Sequence, residues 1–292
     1  MQRKLNLITM LKRIGLVLCA IMVTVSMGAV DASVQFFYDF GSLKTACANQ
    51  RPERFTSTVE LFHPDQWGNT YFFVDFDYSV DHFSDRAQND PRHCAFGGYW
   101  EIARSLNFWK ESKAKDLGIH IEYNGGLGNS YNGPVVNGYG INNAVLIGLD
   151  YFLHTPNYKN TFTIELMFKY IADDYNMWGR LRQGKWTQVK GNDIPLQFTF
   201  IWSCKDLFKA KGLTFSGFID VWGQRIDYGT DPNAPQPYQS AIFISEPQLW
   251  YSVGQWFKCP NLCIGTEVEF SYNFTGKGFM CNPCVGLKWD FL

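Results

Sequence analysis

Residues 161–170 alternate strictly, with Phe162, Ile164, Leu166, Phe168 and Tyr170 set against Thr163, Glu165, Met167 and Lys169. A period of two sends alternate side chains to opposite faces of a strand. The second face is the constraining one. It carries full charges, and a packed apolar core does not tolerate unpaired charge. The same two-faced pattern recurs. Phe72, Val74, Phe76 and Tyr78 alternate with Tyr71, Phe73, Asp75, Asp77 and Ser79. Ile119, Ile121 and Tyr123 alternate with His120, Glu122 and Asn124. Val268, Phe270, Tyr272 and Phe274 alternate with Glu267, Glu269, Ser271 and Asn273. One face of these strands meets an apolar medium, and the other is expected to line a water-filled lumen. A soluble sandwich would instead show an apolar inner face and mixed loop lengths.

The last such strand spans 280–292, with Val285, Leu287, Trp289 and Phe291 opposite Gly286, Lys288 and Asp290. A chain ending on a strand needs a partner already made, and the simplest is the first strand, which closes a barrel. About twelve segments are expected: 34–43, 55–63, 70–80, 97–109, 117–125, 141–153, 161–171, 193–204, 212–223, 239–253, 262–274 and 283–292. The connections alternate in length. Those at 64–69, 110–116, 154–160 and 205–211 are short, whereas 81–96, 126–140, 172–192 and 224–238 are long. Short turns at one rim and long loops at the other are the habit of all-β, 12-stranded antiparallel transmembrane barrels, with short periplasmic turns and longer extracellular loops. Two places fit poorly. Arg104 falls on the lipid face, and 241–253 changes phase near Glu246 and Pro247; a bulge, a bent edge or a different register would explain either.

The N-terminus suggests export. Arg3, Lys4, Lys12 and Arg13 precede an apolar run at 14–27, and Val30 to Ala32 offers small residues for cleavage after Ala32. This reads as a signal peptide over 1–32, too short to span a membrane as a helix. Residues 33–292 then form one outer-membrane barrel domain, placed in the outer membrane of a Gram-negative bacterium. The 17% aromatic content suits girdles at the two rims, and a net charge of −1 gives no basic surface for nucleic acid.

Several motifs resemble the Tsx-like nucleoside-specific channels. Thr58, Glu60 and Phe62, then Trp67 and Gly68, then Phe72, Phe73 and Asp75 match that family's first hairpin. Tyr99 to Ile102 with Ser105 and Leu106, then 121–124 and 146–149, follow in the same order. The resemblance implies a monomeric 12-stranded barrel whose narrow lumen passes nucleosides; the cysteines and the loop sequences depart from the family.

A nucleoside presents a ring face and hydroxyls, so a passage for it needs rings to stack on and carboxylates or amides as acceptors. The candidate lumen residues are Glu60, Tyr71, Phe73, Asp75, Asp77, Glu101, Glu122, Glu165, Lys169, Asp220, Trp222, Glu267, Glu269 and Lys288. Acids outnumber the two lysines, so some carboxylates should lack a basic partner. The alternative is that the charges simply pair across the lumen. No cofactor and no metal are expected; the partners are a nucleoside-like solute and outer-membrane lipids. Cys259 and Cys263 lie at a short turn, and Cys281 and Cys284 near the opposite rim. A strand of about ten residues, roughly 33 Å, would separate the pairs, too far for one tetrahedral ion. Cys47 and Cys94 fall in neighbouring long loops and are the candidate disulfide pair, and Cys204 is read as a small wall residue.

Two other functions compete. A barrel hydrolase needs a serine with a histidine base. None of His63, His82, His93, His120 and His154 lies in a His-x-Ser-Asn-Gly arrangement, and only His120, beside Glu122, sits on a strand. An enzyme is therefore not expected. A non-transporting barrel could bind a partner through its loops, with 227–238 as the exposed surface.

Overall fold

A computed structural model describes residues 30–43, 53–79, 95–132, 135–173, 181–182, 185–186, 194–226, 238–257, 259–274 and 278–291. Cys47 and Cys94 lie outside the described residues. The strands are β1 (Asp31–Asp39), β2 (Arg54–Asp65), β3 (Gly68–Ser79), β4 (Ala95–Leu106), β5 (Leu117–Asn132), β6 (Val135–His154) and β7 (Asn160–Asp173). After them come the two-residue β8 (Leu181–Arg182) and β9 (Lys185–Trp186), which pair only with each other. The rest are β10 (Leu196–Lys205), β11 (Leu213–Ile226), β12 (Tyr238–Ser245), β13 (Gln248–Ser252), β14 (Leu262–Tyr272) and β15 (Phe279–Asp290).

Every pair of neighbours in the large sheet is antiparallel, and β1 pairs with β15 from Ser33↔Asp290 to Asp39↔Cys284. The sheet therefore closes on itself. β12 and β13 are two halves of one strand, both set between β11 and β14, so the barrel has the expected twelve staves. Closure leaves no unpaired edge, which is what lets a sheet cross a membrane. The outward positions form an apolar jacket around the circumference, including Phe36, Val59, Ile102, Ile121, Leu149, Leu166, Phe198, Val221, Leu249, Ile264 and Leu287, all exposed. That is the surface a barrel turns to lipid.

Four expectations need correction. The stretch 126–140 is not a long loop: β5 runs to Asn132, β6 resumes at Val135, and the two pair out to Asn132↔Val135. Its glycines do not interrupt the ladder, since backbone pairing needs no side chain. The apparent phase change at Pro247 is not a bulge. Ser245↔Ile219 and Gln248↔Ser216 are three residues apart on both strands, so the register is continuous. What changes is polarity, because Ile242 and Ile244 face inward and pack on Trp222. Arg104 needs no bulge either. It sits on the outer face near the short-turn rim, where its guanidinium pairs with Asp65 at 2.9 Å and bonds Thr70 Oγ1 at 2.9 Å. Lastly, Cys284 is not near the far rim. It pairs with Glu267 and shares an interior cluster with Phe37, Trp250 and Cys263. Cys281 lies nearer that rim, opposite Phe270 and on the outward phase, so the four thiols do not converge.

β1 begins at Asp31, ahead of the expected cleavage point, and Ala32 accepts a backbone hydrogen bond from Phe291 at 2.8 Å.

Candidate functional site

Each strand has one inward phase, set by the cross-strand pairs. Gln35↔Thr58↔Asp75↔Tyr99 is one inner row, and Thr199↔Asp220 and Gln35↔Lys288 continue the same face around the wall. All fourteen candidate residues fall on that phase. Glu60 lies on β2; Tyr71, Phe73, Asp75 and Asp77 on β3; Glu101 on β4; and Glu122 on β5. Glu165 and Lys169 lie on β7, Asp220 and Trp222 on β11, Glu267 and Glu269 on β14, and Lys288 on β15.

The inner wall is not uniformly wet. Along β2, β3 and β4 as far as Glu101 the inward side chains are half-buried, and they form a ladder of rings and carboxylates. Tyr71 and Phe73 have ring centroids 6.0 Å apart, and Phe73 and Tyr99 5.9 Å. Carboxylates flank the rings. Glu60 accepts from Gln35 Nε2 at 2.7 Å and from the Tyr71 hydroxyl at 3.1 Å. Glu101 accepts from the Tyr99 hydroxyl at 2.7 Å, and Asp75 accepts from Thr58 Oγ1 at 2.5 Å. Asp77 accepts from Thr56 Oγ1 at 2.8 Å and from Arg54 at 2.9 Å. Hydroxyls and amides, rather than lysines, thus satisfy most of this acidic strip. Tyr99 was not among the sequence candidates, although it shares the phase of Glu101 and could have been found by it.

Other inward side chains are fully buried against one another rather than open to the lumen, among them Lys169, Gln197, Thr199, His120, Glu122, Glu165 and Glu269. Lys169 is 5% exposed; its ammonium lies 4.1 Å from the Trp222 ring centroid and donates to Gln197 Oε1 at 2.7 Å. Gln197 donates to Thr199 Oγ1 at 3.1 Å, and Thr199 donates to Asp220 Oδ1 at 2.5 Å. Across β5 and β7, His120 Nε2 meets Glu122 Oε2 at 2.9 Å and Nδ1 faces Glu165 Oε1 at 3.4 Å. On the opposite wall, Gln248 Nε2 donates to Glu267 at 2.6 Å, and Ser271 and Asn282 each donate to Glu269 at 2.9 Å. The Lys288 ammonium sits 5.2 Å from the Trp250 ring centroid. Glu101 on β4 and Asp220 on β11 are within electrostatic reach, so side chains from facing walls approach each other inside the tube. A twelve-stranded barrel is narrow enough for this.

Residues 31–291 match the family described as a domain of unknown function, DUF5020. The chain belongs to the DUF5020 family. No curated protein matches it. Among solved structures this DUF5020 chain is similar to the NanC porin, at 10% identity and TM-score 0.46, covering 88% of this chain and 98% of that one. It is also similar to OccAB3 of Acinetobacter baumannii, at 8% identity and TM-score 0.39 over 90% and 99% of the two chains. A third likeness is the translocator domain of the autotransporter NalP from Neisseria meningitidis, at 11% identity and TM-score 0.39, covering 98% of each. The closure and register of the DUF5020 barrel described above rest on its own strand pairs.

Proposed function

We propose that this chain is a passive channel of the Gram-negative outer membrane for small hydrophilic solutes, with nucleosides as the favoured class. The observation that carries this is the Tyr71–Phe73–Tyr99 ladder, bordered by Glu60, Asp75 and Glu101 on the less buried part of the inner wall. Rings offer stacking to a base, and the carboxylates accept from sugar hydroxyls and base N–H groups. Several weak sites in succession suit passage, since a solute must be able to leave each one. The resemblance of the first hairpin to nucleoside-specific channels supports the same class. No step of bond making is assigned to the chain.

Liposome swelling with the purified protein tests this, comparing adenosine with a sugar of similar size. Faster adenosine entry is expected, and Asp75→Ala and Glu60→Ala should reduce it while leaving the sugar rate unchanged. Equal entry would reject selectivity, and no entry through a correctly folded barrel would reject transport. A second reading, partner binding, has one observation in its favour. Beyond Gly128 and Asn143, the β5–β6 hairpin pairs with no other strand among the described residues. A folded barrel without flux would point there.

A further inference from the structure

His120, Glu122 and Glu165 form a group whose metal-competent atoms all lie within 4.8 Å of one another. All three are more than nine-tenths buried, at 4%, 7% and 4% exposure. They come from β5 and β7 and meet over β6, where the residue opposite His120 is Gly148, which has no side chain. A second observation concerns the polar atoms left over. The His120 Nδ1 has no hydrogen bond; its contact with Glu165 is the 3.4 Å approach alone. Asp150, 6% exposed and directly across the ladder from Glu165, has an Oδ1 with no hydrogen-bond partner. On its other side Asp150 faces Gly118 of β5, two residues from His120. An imidazole nitrogen and a carboxylate oxygen, both buried and unsatisfied at one place, are costly unless something supplies positive charge and takes their lone pairs.

We propose that His120, Glu122 and Glu165 bind a divalent first-row transition cation, with Asp150 as the adjoining carboxylate that balances its charge. Imidazole with carboxylates, and no thiolate, suits Mn2+ or Zn2+. Such an ion would tie β5 to β7 through the lumen side of the wall. The site is independent of the channel reading, because it is measured on the solubilised chain without any flux.

The test is a Mn2+ titration of the full chain, folded in detergent and freed of metal by chelation, with bound ion read by electron paramagnetic resonance. Mn2+ is chosen because it avoids thiolates, so the cysteines do not contribute. One equivalent is expected. Glu165→Gln and His120→Gln should each weaken binding more than about 100-fold, since outer-shell partners alone are worth roughly 10- to 100-fold. Glu267→Gln, on the opposite wall, should bind like the wild type. Heat-modifiable gel migration confirms that each variant is folded, and Glu122→Gln replaces any variant that is not. Folded wild type that takes up no Mn2+ would overturn the proposal, leaving a metal-free hydrogen-bonded cluster. Equal binding by the wild type and the ligand variants would overturn it too.

Discussion

Replacing Leu166 by arginine tests the apolar jacket directly. Leu166 is 59% exposed and faces outward, with Leu149 and Phe198 as its cross-strand neighbours. It lies near the middle of the fourteen-residue β7. With a rise of ~3.4 Å per residue and a tilt of ~40°, each residue climbs about 2.6 Å, so Leu166 stands roughly 16 Å above the short-turn end of β7. An apolar band ~25 Å tall puts that near the bilayer centre, where an arginine costs about 2–4 kcal/mol. Both neighbours are apolar, so the guanidinium finds no partner. A cost of about 3 kcal/mol lowers the folding equilibrium constant roughly 150-fold. Leu153→Arg is the control. Leu153 is exposed one residue from the end of β6, at the rim, where the cost falls to about 0–1 kcal/mol. The native Arg104 already occupies such a rim position, paired with Asp65. The assay is denaturant titration of protein folded into phospholipid vesicles, with the folded fraction read by gel migration. If Leu166→Arg and Leu153→Arg cost the same, or Leu166→Arg costs under about 1 kcal/mol, Leu166 does not face the hydrocarbon and the jacket has been misread.

Two further outcomes follow from the inner wall. A methyl group added at Gly148 would land on the Leu166 carbonyl oxygen and 2.6 Å from Met167 Cα, both of them backbone, so β6 and β7 would have to part. Gly148→Ala should cost about 1–3 kcal/mol or more in the same titration, and an unchanged midpoint would refute the close approach. Lys169→Met keeps the stem but removes the ammonium that lies on Trp222 and donates to Gln197. Losing that charged hydrogen bond and the ring contact should cost about 2–3 kcal/mol in the same titration. An unchanged midpoint would show that the ammonium does not hold this part of the wall together.

Much of this was legible one strand at a time. The alternation at 71–79 and 161–170 assigned each residue to a face, because a strand's side chains take sides with a period of two. Hence the fourteen inner candidates were found without knowing their neighbours. Misreadings arose where composition departed from that rule. The stretch 126–140 was expected to be a long connection, yet it is largely paired strand. Ile242 and Ile244 looked like a change of phase, yet they are inward residues packed on Trp222 from the neighbouring strand. Arg104 looked misplaced because its depth along the barrel, and the Asp65 beside it, are not visible from its own strand.

By itself, then, the sequence determined the strand count, the faces and the charged inner wall, all of which follow from local periodicity. It did not determine how wet that wall is or which side chains meet. Those depend on the barrel's closure and on register between strands far apart in sequence. Closure brings Lys288 of β15 beside Gln35 of β1. The register sets Gly148 between His120 and Met167, so that a histidine of β5 and a glutamate of β7 can meet over β6. Only the pairing of strands settles such contacts, because they join residues that no single strand contains.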